Sequence, residues 1–260
     1  DADDEWLPEK LEHTMPHLES GDYCFVAHDY LAGDGGNSVH HDCTRRFQES
    51  DDPFVNLYRK GYVASSSVVA RRETVLAAGG YDPTLPNAQD FDLWLAMTRS
   101  PDTRFLVFGE ALLHYHPSPG GIMSHTKRRL DCCLIIARRY IPDLKRRNGS
   151  ALASLWFRVM AIHLEAIRAY GHSGNFPGML LIAGKLPFAL LSVTLFYFFQ
   201  SHGNRETYRA EGGSPTMGEI VGRQPLLNGI LWLWVAGAMT AYIYQFRNFA
   251  GPLLDLFGLG

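Results

Sequence analysis

Over the first two-thirds of the chain, short apolar segments alternate with polar, glycine-marked breaks. Asp1 to Leu18 runs from an acidic cluster into a helix. Asp4-Glu5-Trp6-Leu7-Pro8 supplies cap and first-turn signals, and Leu11, Met15 and Leu18 recur at helical spacing. Tyr23 to Leu31 alternates as a strand does, and Gly33-Asp34-Gly35-Gly36 predicts a turn ahead of Val39. Val63 to Ala70 predicts a second strand. Arg72 to Ala78 predicts a short helix closed by Gly79-Gly80. Phe91 to Met97 starts another helix, and Phe105 to Tyr115 predicts one or two strands. Strands interleaved with helices argue for an α/β sandwich rather than a helix bundle.

From Lys127 the pattern changes. Leu130, Leu134, Ala137 and Ile141 form an apolar helical stripe, and Arg128, Arg138 and Arg139 occupy the other face. Ala151 to Tyr170 predicts a further helix after the break at Asn148-Gly149. Two long apolar stretches follow, Gly178 to Phe199 and Leu226 to Tyr244, joined by the polar, glycine-rich linker Gln200 to Pro225. A bilayer core needs about 20 apolar helical residues, so both qualify by length. The first carries Lys185, which must snorkel, and Pro187, which would kink it. The second is uncharged and carries interfacial aromatics at Trp232, Trp234, Tyr242 and Tyr244. The chain thus divides into an α/β part over 1–125, a basic amphipathic helical part over 126–172, and apolar helical segments over 173–260 that predict a membrane hairpin (178–199, 226–244). The competing reading makes those segments buried helices, packed on the domain or on a second copy.

Charge narrows the class. With 24 Lys+Arg against 27 Asp+Glu, the net charge of -3 excludes a nucleic-acid binder that works by bulk charge. Locally, Lys127 to Arg147 is strongly basic. That places this flank and the α/β part on the cytoplasmic side, with anionic headgroups as neighbours. Cys24, Cys43, Cys132 and Cys133 show no CxxC spacing, and adjacent Cys132 and Cys133 point to different sides of a helix, so they cannot clamp one metal. Reduced thiols are expected.

The chemistry is concentrated in two acidic elements. In Asp1-Ala2-Asp3-Asp4, carboxylates at alternate positions of a strand end point one way and can share a hard divalent cation. An acidic helix cap explains the same residues. In Asn87-Ala88-Gln89-Asp90-Phe91-Asp92-Leu93-Trp94-Leu95, Asp90 stands where a carboxylate either caps the helix or acts as a general base at a cleft. Asp92 is expected to cap the helix or face solvent. His114 and His116 lie two apart and share a strand face. Ser124, Lys127, Arg128 and Arg129 could contact phosphates or form a solvated helix face.

Taken together, these pieces resemble the family 2 glycosyltransferases of the glycosyltransferase A (nucleotide-diphospho-sugar transferase) fold. The resemblance rests on Asp1 to Leu11, the Tyr30 to Gly36 hairpin, Ser65-Ser66-Ser67-Val68-Val69, Gly79-Gly80-Tyr81-Asp82, and Gln89 to Leu95, and covers roughly Asp1 to Ser124. It implies a partial Rossmann-like sandwich whose nucleotide-binding half lies upstream of Asp1. Asp3 corresponds to the direct ligand of Mg²⁺ or Mn²⁺, Asp1 to a partner for the metal or the donor ribose, His116 to the late histidine that completes the metal site, and Asp90 to the catalytic base. Gln89 and Ala96 stand where the family usually has Glu and Arg, and the Gln-x-x-Arg-Trp motif of processive synthases is absent.

The implied reaction is inverting transfer of a sugar from a nucleotide-diphospho-sugar to an acceptor hydroxyl on a glycan or a lipid-linked acceptor. Asp90 takes the hydroxyl proton and a metal stabilises the departing diphosphate. A non-catalytic, membrane-anchored scaffold keeping the same fold is the alternative, though it would need neither Asp3 nor Asp90. A metal-dependent phosphohydrolase would want a denser set of His and Asp ligands.

Overall fold

The computed structural model describes residues 3–33, 38–116 and 125–199. Among these, five strands form one mixed sheet: β1 (Glu5–Trp6), β2 (Tyr23–Ala32), β3 (Val39–His41), β4 (Val69–Ala70) and β5 (Arg104–Tyr115). β2 is the axis. Cys24 through Asp29 are buried on both of its faces, as expected for a strand covered on both sides. β5 runs parallel along one edge, from Tyr23 opposite Arg104 to Ala32 opposite Tyr115. The other edge carries β4 and then β3, both antiparallel. β1 pairs antiparallel with the last turn of β5, Glu5 facing His114 and Trp6 facing Leu113.

The helices among the described residues are α1 (Lys10–Ser20), α2 (Cys43–Phe47), α3 (Pro53–Lys60), α4 (Arg72–Ala77), α5 (Gln89–Met97), α6 (Thr126–Arg139), α7 (Ile141–Lys145), α8 (Ala151–His172) and α9 (Phe176–Phe199). The mixed α/β class expected from the alternation is therefore present. Phe25 at the sheet centre stacks on Phe105 at 4.8 Å and meets Trp94 of α5 at 5.3 Å. Leu57, Leu93, Leu95, Ile136 and Leu155 close the core around them.

Three local expectations need correction. The acidic opening does not run straight into a helix: Glu5 and Trp6 join the sheet, and α1 starts only at Lys10, after Pro8. Val63 to Ala70 is not a continuous strand. Its three serines wind into a 3-10 turn at Ser65–Ser67, closed by the Ser67 hydroxyl donating to the Ala64 carbonyl at 2.8 Å. The Ser66 carbonyl, turned inward, accepts from the Trp6 indole at 3.1 Å and the Lys10 amine at 2.5 Å. Lys10 is fully buried over the Trp6 ring, and burial lowers its pKa to about 8 against the pull of the Asp4 charge.

The third correction concerns charge. Asp92 neither caps nor faces water, and Arg139, on the face opposite the apolar stripe, is withdrawn from solvent with it; both are fully buried. The Arg139 Nη1 is 2.9 Å from an oxygen of Asp82 and 2.9 Å from one of Asp92, and the Tyr140 hydroxyl donates to Asp92 at 3.0 Å. The periodicity of α6 misleads here because its last residue finds two buried carboxylates, Asp82 and Asp92, in place of water. α2 and α3 were not predicted at all, although Asp42 and Asp52 cap them, Pro53 opens α3, and Gly61 at φ 55 ends it. A side chain at Gly61 would also press on the Arg158 guanidinium, 3.1 Å from where a Cβ would stand.

α9 is the one described helix long and apolar enough to cross a membrane, with mean hydropathy 2.0. Leu226 to Tyr244 lies outside the described residues.

Removing the Arg139 cation strands two buried carboxylates. Arg139→Met should therefore cost about 3–5 kcal/mol of unfolding free energy in urea titration. Burial alone would raise the Asp82 carboxyl, but hydrogen bonds from Thr84 and the Arg139 charge hold it below its ordinary value. A folded-state carboxyl below its unfolded value stabilises above the ordinary carboxylate range, and that stability disappears as pH falls through the lowered value. The acid-side loss of stability should thus be shallower in Asp82→Asn than in the wild type.

Candidate active site

The two acidic elements enter from different directions. Pairing of β1 with β5 sets the first at the carboxyl ends of the parallel strands β2 and β5, the edge where open α/β sheets place their ligands. Asp4 accepts from the His116 backbone N–H at 3.2 Å, and the His116 Nε2 lies 3.9 Å from a Glu5 carboxylate oxygen. Asp3 is exposed beside them. The second oxygen of Asp4 is buried and makes no hydrogen bond. Asp1 and Ser124 lie outside the described residues.

The second element is the start of α5. Ala88, the residue before the helix, has φ 57, a left-handed conformation that costs a non-glycine residue about 1–2 kcal/mol. That turn sets Asp90 in the first turn of α5, where its carboxylate accepts from the Phe91 N–H at 2.7 Å. Burial raises the Asp90 pKa above the ordinary carboxylate value, and neither that hydrogen bond nor the charge of Arg129 fully reverses the effect. Arg129, on α6, is itself held by Glu165 of α8 at 2.5 Å.

Tyr115, the last residue of β5, is where the elements meet. Its phenol pKa is raised by burial first, then by the charges of Asp4, Asp3 and, more weakly, Asp90, while Arg129 opposes them. Carboxylates from two distant parts of the chain, Asp3 and Asp4 in one and Asp90 in the other, thus act on one phenol. Neither Tyr115 nor Asp4 was singled out in the sequence, since a strand-end tyrosine carries no motif. Arg129 sat inside a charge run that gives no sign which of its members turns inward.

The remaining candidates separate. His116 joins the Asp4–Glu5 segment, whereas His114 pairs across the sheet from Glu5 as a strand residue. Lys127 forms an exposed pair with Asp131 at 2.6 Å. With Arg128, Tyr170, His172 and Asn175 it lines a groove of about 1050 Å³ that reaches Pro86, close in sequence to Asp90.

Among the described residues, no three His, Cys, Asp or Glu side chains gather into a cluster able to hold a metal by themselves. The donor set of Asp3, Asp4 and His116 still suits a hard cation of the Mg²⁺ type, which is commonly bound through one or two carboxylates plus substrate phosphate oxygens. The unpartnered buried oxygen of Asp4 is the kind of atom such an ion would satisfy.

No protein-family model, curated protein or solved structure matches this chain.

A carboxyl whose folded-state pKa is raised penalises folding above that pKa and not below the unfolded value. Asp90→Asn should therefore make the protein more stable than the wild type at neutral pH, with the advantage vanishing at pH about 3, where both carboxyls are protonated. Paired urea titrations at the two pH values check this. Equal stability at both would mean that Asp90 carries no such burden.

Proposed function

We propose that the chain belongs to an inverting, metal-assisted sugar transferase. It would use a nucleotide-diphospho-sugar donor and a glycan or lipid-linked acceptor, at a membrane and on its cytoplasmic side. The observation that carries this reading is that the Asp4 carboxylate is held at the end of β5, next to Tyr115, whose phenol also feels the charges of Asp3 and, more weakly, Asp90. A half-buried carboxyl whose pKa is raised by burial is suited to take a proton from a hydroxyl near neutral pH. Carboxylates at a strand-end edge nearby suit the cation that accompanies a diphosphate.

In this reading Asp90 accepts the acceptor hydroxyl proton as the oxygen attacks the anomeric carbon from the face opposite the nucleotide. A single displacement then inverts the configuration, and no side chain forms a covalent intermediate. Arg129, held by Glu165, keeps the deprotonated form of Asp90 accessible despite its burial. Asp3 and His116, together with Asp1 if the family resemblance is followed, would hold Mg²⁺ or Mn²⁺, whose chemistry is to neutralise charge on the departing diphosphate. Tyr115 stays protonated and can donate a hydrogen bond to a substrate oxygen.

The test is transfer from nucleotide-sugar donors by the full-length protein with Mn²⁺. Asp90→Asn should lower kcat by about 10²–10⁴-fold, the usual contribution of a general base, with donor affinity nearly unchanged. Asp3→Asn should weaken binding of metal and donor together. Turnover by Asp90→Asn within a few-fold of the wild type would overturn the assignment of the base.

A further inference from the structure

We propose that α8 and α9 rest flat on a membrane leaflet as one apolar plate, with α9 lying in the interface rather than crossing the bilayer. This inference concerns how the protein sits on lipid and does not depend on the reaction it catalyses.

The first argument is what touches α9 along its length. In its first half, Ile182 is buried against the protein; in its second, Ser192, Val193 and Phe196 are. Polar and cationic groups reach that second half from the body of the protein. The Arg138 guanidinium donates to the Ser192 hydroxyl at 3.1 Å and lies 5.6 Å from the Phe196 ring. The Lys145 amine donates to the Tyr197 carbonyl at 3.0 Å and sits 4.2 Å over the Tyr197 ring. At 1.5 Å per residue, the 24 residues of α9 come to about 36 Å, enough to cross a hydrocarbon core of about 30 Å with a few ångströms over at each end. A transverse α9 would then carry Arg138, bonded to Ser192 about two turns from the helix end, with α6 behind it, into the hydrocarbon, where charged groups are strongly disfavoured; only Lys145, at Tyr197, would stay near the interface. A helix lying along the surface keeps all of them on the water side.

The second argument is the outward face. On α8, Trp156, Met160 and Leu164 are exposed at four-residue spacing, with Phe157 beside them. On α9, Leu180, Leu181, Phe188, Phe198 and Phe199 are exposed. The Trp156 indole donates to the Thr194 hydroxyl at 2.9 Å, so the two ridges adjoin as one surface. An exposed apolar area of this extent marks an interaction site.

The third argument chooses lipid over protein as the occupant. The helices carry the exposed cations Arg168 and Lys185, and Arg128 stands exposed on α6. The acid on this side of α8, Glu165, is already paired with Arg129. An apolar ridge flanked by cations that form no ion pair among the described residues complements a leaflet with anionic headgroups.

The experiment measures depth. Cys24, Cys43, Cys132 and Cys133 are all buried, so a single added surface cysteine reports its own position. Spin labels would be placed on the full-length protein at Met160, Leu164, Leu180, Gly184, Phe188 and Phe198, one at a time. Each would be reconstituted in bilayers of phosphatidylcholine with phosphatidylglycerol and read by accessibility to oxygen and to a water-soluble nickel chelate. The expected result is one shallow depth of about 5–10 Å shared by every position on both helices. A depth profile that sinks to the bilayer centre and rises again along α9 would overturn the proposal in favour of a span. Labels shielded from both reagents would overturn it too, showing that residues 226–244 or a second copy covers the face. Six sites keep the result readable if one substitution fails to fold.

Discussion

The Arg139 guanidinium, fully withdrawn from water between the carboxylates of Asp82 and Asp92, sets the position of nearly everything around the candidate site. Desolvating a cation and two anions is costly, and their mutual attraction offsets that cost only while the geometry holds. The arrangement is correspondingly specific. It joins the turn after α4 to α5 and fastens both to the end of α6, with Tyr140 adding a second bond to Asp92. Asp90 stands two residues from one member of this cluster, so the register of α5 on α6 decides where its carboxylate points.

That rigidity permits two local costs at the head of α5. Ala88 is held in a left-handed conformation, and Asp90 is held where burial opposes its ionisation. Either would relax if α5 could shift. Features of this kind gather where a protein keeps a group poised for chemistry, at some expense in stability. Arg129 moderates the second cost, and it is oriented in turn by Glu165 on α8. One face of α8 therefore reaches the surroundings of Asp90, while another exposes Trp156, Met160 and Leu164. The helix that orients Arg129 thus also carries the exposed apolar ridge.

Much of the architecture was legible in local pattern. The alternation at Tyr23 to Leu31, the glycine pair after Ala78 and the apolar run after Phe176 each correspond to an observed element, because each is governed by periodicity or by backbone freedom. The caps of α2 and α3 were present and went unread, since helices this short carry too little periodicity to stand out. The Ser65–Ser67 turn failed for another reason. Val68-Val69 favours a strand, but the preceding serines bond back to the chain, and Trp6 and Lys10 claim the Ser66 carbonyl from far away in sequence.

Charges divide in the same way. Residue type and spacing alone marked Asp3 and Asp90 as the carboxylates worth watching, and α9 as apolar enough for a membrane. Those properties belong to a residue and its near neighbours. Which arginine of a basic helix is buried, which aspartate pairs with it, and whether an apolar helix stands apart from the domain or lies along it depend on what packs against each face. Arg138 and Arg139 are adjacent, yet one reaches α9 and the other closes an ion cluster under α5. Only the tertiary structure decided that, because burial and pairing are set by partners distant in the chain, and one-dimensional periodicity contains no record of them.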